Sequence, residues 1–263
     1  MNIRWGKMIT DLSDVERASA DGFDQVQPMV RYFMGLNDEQ YALAGEHFQQ
    51  SGLGPEICSS PLPAEVVVAQ AGFNIYVWTE YLKKAVQRVA GLGCKKIVWS
   101  DGRARALPLE GDKSEVKSQV LQFLYMLCEI ADNFGITILV EPLGPRRTNF
   151  LNSMDELIDV LPLVGKENCS VLISLRELAE IGLDVNNLNT YTPYISHVQM
   201  ENPLEQRGPR RSPRPGDGFD YRPFLRGLHL ISYDGVITLP EDADHISLQY
   251  CRGLWDEIKQ SKP

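Results

Sequence analysis

Short runs rich in Val, Ile, Leu and Trp alternate along the chain with longer stretches whose apolar residues recur every three or four positions. The short runs predict strands at 3–9, 25–28, 56–59, 96–100, 136–141, 170–174, 195–200 and 235–239. The longer stretches predict helices that include 38–50, 76–90, 115–134, 154–161, 221–230 and 243–259. Several helical patterns stop at a glycine and pass directly into a strand, as in AGLG-CKKIVW and ADNFG-ITILVE. That is the punctuation of a helix feeding a parallel strand.

Eight β/α units in 263 residues predict an α/β fold, a single (β/α)8 TIM barrel spanning 1–263. A doubly wound open sheet is the competing architecture. It normally carries a glycine-rich phosphate turn after its first strand, whereas here the first strand runs into Thr10-Asp11-Leu12-Ser13. No linker, low-complexity tract or repeat divides the chain. In such a barrel, chemistry sits at the C-terminal strand ends and in the loops that follow. This directs attention to 59–63, 100–105, 141–147, 174–177, 197–214 and 240–242.

Charge narrows the classes of partner. The net charge of −9 is the wrong sign for affinity built on neutralising phosphate backbones, so nucleic acid is not expected. The cysteines Cys58, Cys94, Cys128, Cys169 and Cys251 are odd in number and contain no C-x-x-C pair. They read as free thiols in a reducing compartment rather than as a disulfide frame or a thiolate metal site. There is no membrane-length apolar run and no leader-like start, so the expectation is a cytoplasmic protein, with no membrane partner and with room for a homo-oligomer.

Three segments carry candidate chemistry. In ILVEPLGPRRTNF, Glu141 follows an apolar strand and Pro142 forces the chain out of it. A carboxylate at that position is suited to general-base work or to a divalent cation, or else pairs with Arg146 or Arg147. The segment EQRGPRRSPRPGDG gathers Arg207, Arg210, Arg211 and Arg214. It is either an anion clamp over the mouth or a solvated, proline-stiffened loop. The strand ISHVQMEN alternates apolar residues with Ser196, His197, Gln199 and Glu201, and His197 is the one histidine outside the helical patterns. The aromatic run 73–81 and Trp99 read as core or lid positions, with stacking on a ring-like substrate the competing use.

Six segments together give the chain a recognisable signature: GFDQVQ, CSSPLP, WSDGRARALPLEG, ILVEPLGPRRTNFLNS, SHVQMEN and PGDGFDYRPFLRGLHLISYDGVITL. Their order and content resemble a sugar phosphate isomerase/epimerase of the xylose isomerase-like TIM-barrel superfamily, among the relatives of the ketose 3-epimerases and of AP endonuclease family 2. The resemblance implies a divalent metal, manganese, magnesium or cobalt, held by Glu, Asp, His and Glu at four strand ends, the two glutamates also moving protons. Carried over, the first glutamate is Glu141, while Ser174, Gln199 and Pro240 occupy the other three slots; Glu241 follows one residue late. The family's neighbouring histidine falls on Glu177, and its NRxE stretch becomes Gly144-Pro145-Arg146-Arg147.

Serine, amide and proline are poor donors to a hard dication, so the expectation is no cofactor, or at most a weakly held divalent ion at Glu141. Glu141 and Glu241 are the expected proton-moving residues, and His197, Gln199, Glu177, Arg147, Arg210 and Arg211 the expected substrate contacts. The expected partner is a small polyhydroxylated molecule: a sugar, sugar phosphate or sugar acid. Two functions stay open. One is a diverged isomerase or epimerase that stabilises an enediolate with arginine. The other is a non-catalytic binding protein or a subunit of an active paralogue. The superfamily's zinc-dependent DNA repair needs several histidines from different strands, which this chain lacks.

Overall fold

The computed structural model describes residues 3–260; residues 1–2 and 261–263, which the single-domain expectation also spans, lie outside the described residues. Eight strands form one parallel sheet: β1 (Arg4–Met8), β2 (Gln25–Gln27), β3 (Ile57–Ser59), β4 (Lys96–Trp99), β5 (Thr137–Val140), β6 (Cys169–Ser174), β7 (Ile195–Gln199) and β8 (Val236–Leu239). Each falls on a predicted strand, seven of them trimmed by a residue or two at the ends and β6 begun one residue earlier than expected. The hydrogen-bonded order β2-β1-β8-β7-β6-β5-β4-β3 wraps the sheet into a nearly closed barrel. The seam lies between β2 and β3, where Pro28 has no N–H to offer and β2 stops after three residues. A single bridge between Met29 and Ser59, with Ser59 N donating to Pro28 O at 3.0 Å, spans it.

Helices follow the strands around the outside: α1 (Ser13–Asp21), α2 (Val30–Met34), α3 (Asp38–Ser51), α4 (Ile75–Gly91), α5 (Gly102–Arg105), α6 (Lys113–Asp132), α7 (Met154–Val164), α8 (Leu175–Glu180), a 3₁₀ segment Val185–Tyr194, α9 (Arg222–Leu230) and α10 (His245–Gln260). The long ones match the periodic stretches. The short α2, α5 and α8 are too brief to show a period, and no helix was expected at any of them. The starts of α5 and α8 rest on side-chain caps instead: Asp101 accepts from Ala104 N, and Ser174 from Glu177 N; α2, entered from Met29, has no side-chain cap. The expected stop at 161 is overrun because Pro162 removes only one hydrogen bond, near the end of α7.

Alternation along each strand separates two cores. Outward side chains, among them Trp5, Val26, Cys58, Ile97, Val140, Ile173, Val198 and Ile237, pack against the helices. Inward, Ile57, Val98, Leu139, Leu172 and Val236 make a separate apolar plug within the barrel. Trp99 belongs to the outer layer, tilted against Phe123 at 5.1 Å between ring centroids, so it does not reach the mouth. Among the described residues no helix is long and apolar enough to cross a membrane, and all five cysteines are free.

The loops after β4 and β5 are locked by close approach. A Cβ on Gly102 would stand 2.5 Å from the backbone oxygen of Arg147, which cannot retreat without moving the loop that carries it. Gly102→Ala should therefore destabilise the barrel by about 1–3 kcal/mol, read as a lowered urea midpoint with an unchanged slope.

Candidate functional site

At the C-terminal end of the barrel, strands β5, β6 and β7 deliver Glu141, Ser174 and Gln199 to the interior, all at or near complete burial. Glu201, two residues beyond Gln199 and on the same side of the chain, is also fully buried. Ser174 Oγ donates to Glu201 Oε2 at 3.0 Å while capping α8. Gln199 stands beside Ser174 in the β6–β7 register, and its Oε1 has no hydrogen-bond partner in the structure.

Arg210 enters this acidic interior from the loop after β7. Its Nε lies 3.2 Å from Glu201 Oε1, with about a fifth of the side chain still exposed (22%). The loop is held in place at several points. Asn202 N donates to Arg211 O at 2.8 Å, Arg176 Nη2 donates to the carbonyls of Gln206 (2.8 Å) and Gly208 (3.2 Å), and Ser212 N donates to Asp242 Oδ1. Burial works against the charge on Arg210. Glu201, Glu141, Glu241 and Glu177 outweigh it and hold the guanidinium pKa above its ordinary value.

Glu141 is the least satisfied group of the set. Both carboxylate oxygens are buried and lack a hydrogen-bond partner. Arg105, itself buried, donates instead to the Glu141 backbone oxygen at 2.5 Å. Desolvation pushes the Glu141 carboxyl up to about 7; Arg210 and Arg147 pull the other way, and Glu177 and Glu201 add to the rise. Burial also raises Glu201, against the pull of Arg210 and the hydrogen bond from Ser174.

Two cavities open here. A small chamber of about 60 Å³ is lined by hydroxyls and amides from Gln27, Ser59, Ser60, Ser100 and Gln199, with Met8, Ile9 and Met29 as its apolar wall. Ser60 adopts a positive φ of 59°, a conformation that costs a non-glycine residue energy and turns its side chain out of the β3 direction. Beyond lies a basin of about 600 Å³ bordered by Arg146, Arg147, Arg176, Glu180 and Gln206. Arg210 and Glu241 line both, so they form the threshold.

The expected site residues thus divide. Gln199, Arg210 and Glu241 line the chamber; Arg147 lines the basin, paired with Glu177 Oε1 at 3.0 Å, and Glu177 Oε2 accepts from Gly144 N. Arg211 stands on the rim, half exposed and facing Glu205 and Asp242 at 3.8 and 3.7 Å. His197 sits level with Leu172, one layer below the mouth, where Nε2 meets Gln27 Oε1 (3.1 Å) and Thr238 Oγ1 (3.2 Å). Burial and Lys96 press its pKa down to about 3, so it is neutral at physiological pH and lines neither cavity. Of the remaining arginines, Arg214 is tied to Asp244 at 3.0 Å. The loop is therefore pinned largely by Asp242 and Asp244 of the neighbouring loop after β8, with Arg210 turned inward. Gln27, Ser59, Ser60 and Ser100 were not singled out individually from sequence; the expected loops 59–63 and 100–105 contain three of them.

The residues at the four family slots fit a divalent ion poorly. Glu141 offers a carboxylate, Gln199 an amide and Pro240 no side-chain donor, while the Ser174 hydroxyl is engaged with Glu201. No group of three or more His, Cys, Asp or Glu is arranged to hold a metal among the described residues.

Burial of Glu141 carries a stability signature. A carboxyl held above its unfolded value favours the folded state fully below about pH 4.5, and that advantage drains away as pH rises to about 7. The loss amounts to about 3 kcal/mol. Glu141→Gln should remove this share of the pH dependence, so its stability relative to wild type should rise between pH 5 and pH 8 in urea titrations.

The model of the family described as "Xylose isomerase-like TIM barrel" matches residues 15–249. No curated protein sequence matches the chain significantly. Among solved structures, a D-psicose 3-epimerase in the presence of D-fructose superposes with a TM-score of 0.82 at 14% identity, covering 96% of this chain and 99% of its own. An L-ribulose 3-epimerase gives 0.78 at 16% identity, covering 99% and 100%. An AP endonuclease, family 2, from Brucella melitensis gives 0.76 at 16%, covering 95% and 99%. At these identities the likeness establishes the fold.

Proposed function

Because the chain belongs to the xylose isomerase-like TIM-barrel family, we propose that it binds a small polyhydroxylated carbonyl compound, a sugar, sugar phosphate or sugar acid, in the basin at the barrel mouth with one end reaching toward the chamber, and moves a proton beside the carbonyl without a metal ion. The observation that carries this reading is Glu141: a buried carboxyl with no hydrogen-bond partner, poised at about 7 beside guanidinium groups. Perturbed acids of this kind concentrate where proton transfer occurs. The hydroxyl and amide lining supports recognition of sugar hydroxyls, and the apolar wall of Met8, Ile9 and Met29 suits the C–H faces of such a ligand.

In this reading the ionised Glu141 removes the proton on the carbon next to the carbonyl. The electron pair moves onto the carbonyl oxygen, and Arg210 at the threshold stabilises the enediolate charge. Glu141 returns the proton to the same or the adjacent carbon, and Glu241, lining both cavities, is placed to exchange protons with the substrate oxygens. Gln199, with a free Oε1, and Arg147 make further polar contacts. His197 supports the chamber through Gln27, and Glu177 holds Arg147 at the basin edge. The wider setting we infer is a single-domain cytoplasmic protein acting on small molecules rather than on nucleic acid. The net charge of −9 and the unpaired cysteines support it.

A second reading, a binding protein without catalysis, draws on one observation: Glu141 is absent from the lining of both cavities. Deuterium exchange separates the two. Incubation of D-psicose, D-fructose and L-ribulose, the sugars named for the structural neighbours, together with aldonic acids, in D₂O should label the carbon beside the carbonyl of at least one carbonyl-bearing compound, as read by NMR. Glu141→Gln should slow that exchange by about 100-fold or more while calorimetric binding persists. Binding with no exchange in the wild type would replace the catalytic reading with the second.

A further inference from the structure

We infer that the Arg210 guanidinium is the resident cation of the barrel mouth, a tethered side chain that fills a cation site formed by Glu141 and Glu201 and so excludes free cations from it. Three geometric facts converge on this. The side chain reaches in from a rim loop to lie 3.2 Å from Glu201, a fully buried carboxylate whose other oxygen is occupied by Ser174. Glu141, also fully buried, has neither oxygen hydrogen-bonded, and Arg210 is the foremost of the charges that favour its ionised form against burial. The loop carrying Arg210 is clamped by Arg176 on the carbonyls of Gln206 and Gly208, and by the Asn202–Arg211 backbone bond. Its entry is therefore built into the loop's path, as an exposed arginine swinging freely would not be.

Arg211 and Arg214 in the same loop pair with Asp242 and Asp244 instead, which leaves Arg210 as the loop's contribution to the interior. Two buried carboxylates without a counter-charge would be forced toward protonation, since burying unpaired charge is among the costliest substitutions a protein can make. A guanidinium supplies the charge at a fixed position, on a side chain that also lines the chamber. The inference deepens the metal-free part of the proposed reaction, yet it concerns only cation occupancy and is tested without any sugar.

The experiment is isothermal calorimetry of chelator-treated protein with guanidinium chloride in the low millimolar range, against matched sodium chloride, and separately with manganese chloride. Wild type should take up neither cation at the mouth. Arg210→Ala should bind guanidinium or manganese at least about tenfold more tightly than wild type, and adding Glu201→Gln to that variant should abolish the gain. Arg210→Lys, which keeps the charge and guards against a folding artefact, should behave as wild type. Micromolar manganese binding by wild type that Glu141→Ala removes would overturn the inference. So would an Arg210→Ala protein that folds, by its melting transition, and takes up neither cation.

Discussion

The mouth of this barrel is organised around the placing of one guanidinium among buried carboxylates. Glu141 and Glu201 lie in the same buried interior, and the charge of Glu177, at the start of α8, acts on both. Like charges so placed repel and raise one another's pKa, and burial adds to the effect. Arg210 makes the arrangement tenable, and much of the surrounding architecture serves to hold Arg210: the β7 loop with its ion pairs to Asp242 and Asp244, the Arg176 clamp, and the Ser174 hydroxyl that fixes Glu201.

The same constraint separates this mouth from one built for a dication. A divalent ion needs several anionic oxygens converging on a point, with geometry set by the metal. Here the inward positions are hydroxyl, amide and proline at Ser174, Gln199 and Pro240, and the hydroxyl is turned to a carboxylate. Around them the chamber is lined by serines 59, 60 and 100, the amides of Gln27 and Gln199, and a sulfur-rich apolar wall. The arginines of the basin add less positive field than their number suggests, because Arg146 and Arg147 are already spoken for by Glu180 and Glu177.

Below the mouth, the barrel interior changes character layer by layer. His197, level with Leu172 of the apolar plug, forms a neutral hydrogen-bonded tier with Gln27 and Thr238. Nearer the opposite end, Lys96 donates to Ser196 O at 2.5 Å. The neutral tier supports the chamber floor through Gln27 without bringing an ionisable imidazole into contact with a ligand, which is why the histidine of ISHVQMEN has a structural position in spite of its suggestive sequence.

Sequence alone determined the strands and the long helices, because a two-residue alternation and a helical period are local properties that survive without tertiary contacts; the slots of Ser174 and Gln199 came from the resemblance to the family. Sequence also located Glu141, since a proline directly after an apolar strand leaves few places for a carboxylate to go. The short capped helices escaped it, as did Ser60, whose positive φ depends on the path of its loop. Only the tertiary structure decided the fate of the arginines. Nothing local distinguishes Arg210 from Arg211 in GPRRSPR, yet one is drawn to the buried Glu201 and the other stays on the rim, because the loop's direction is set by the distant Arg176 and Asp242 that hold it.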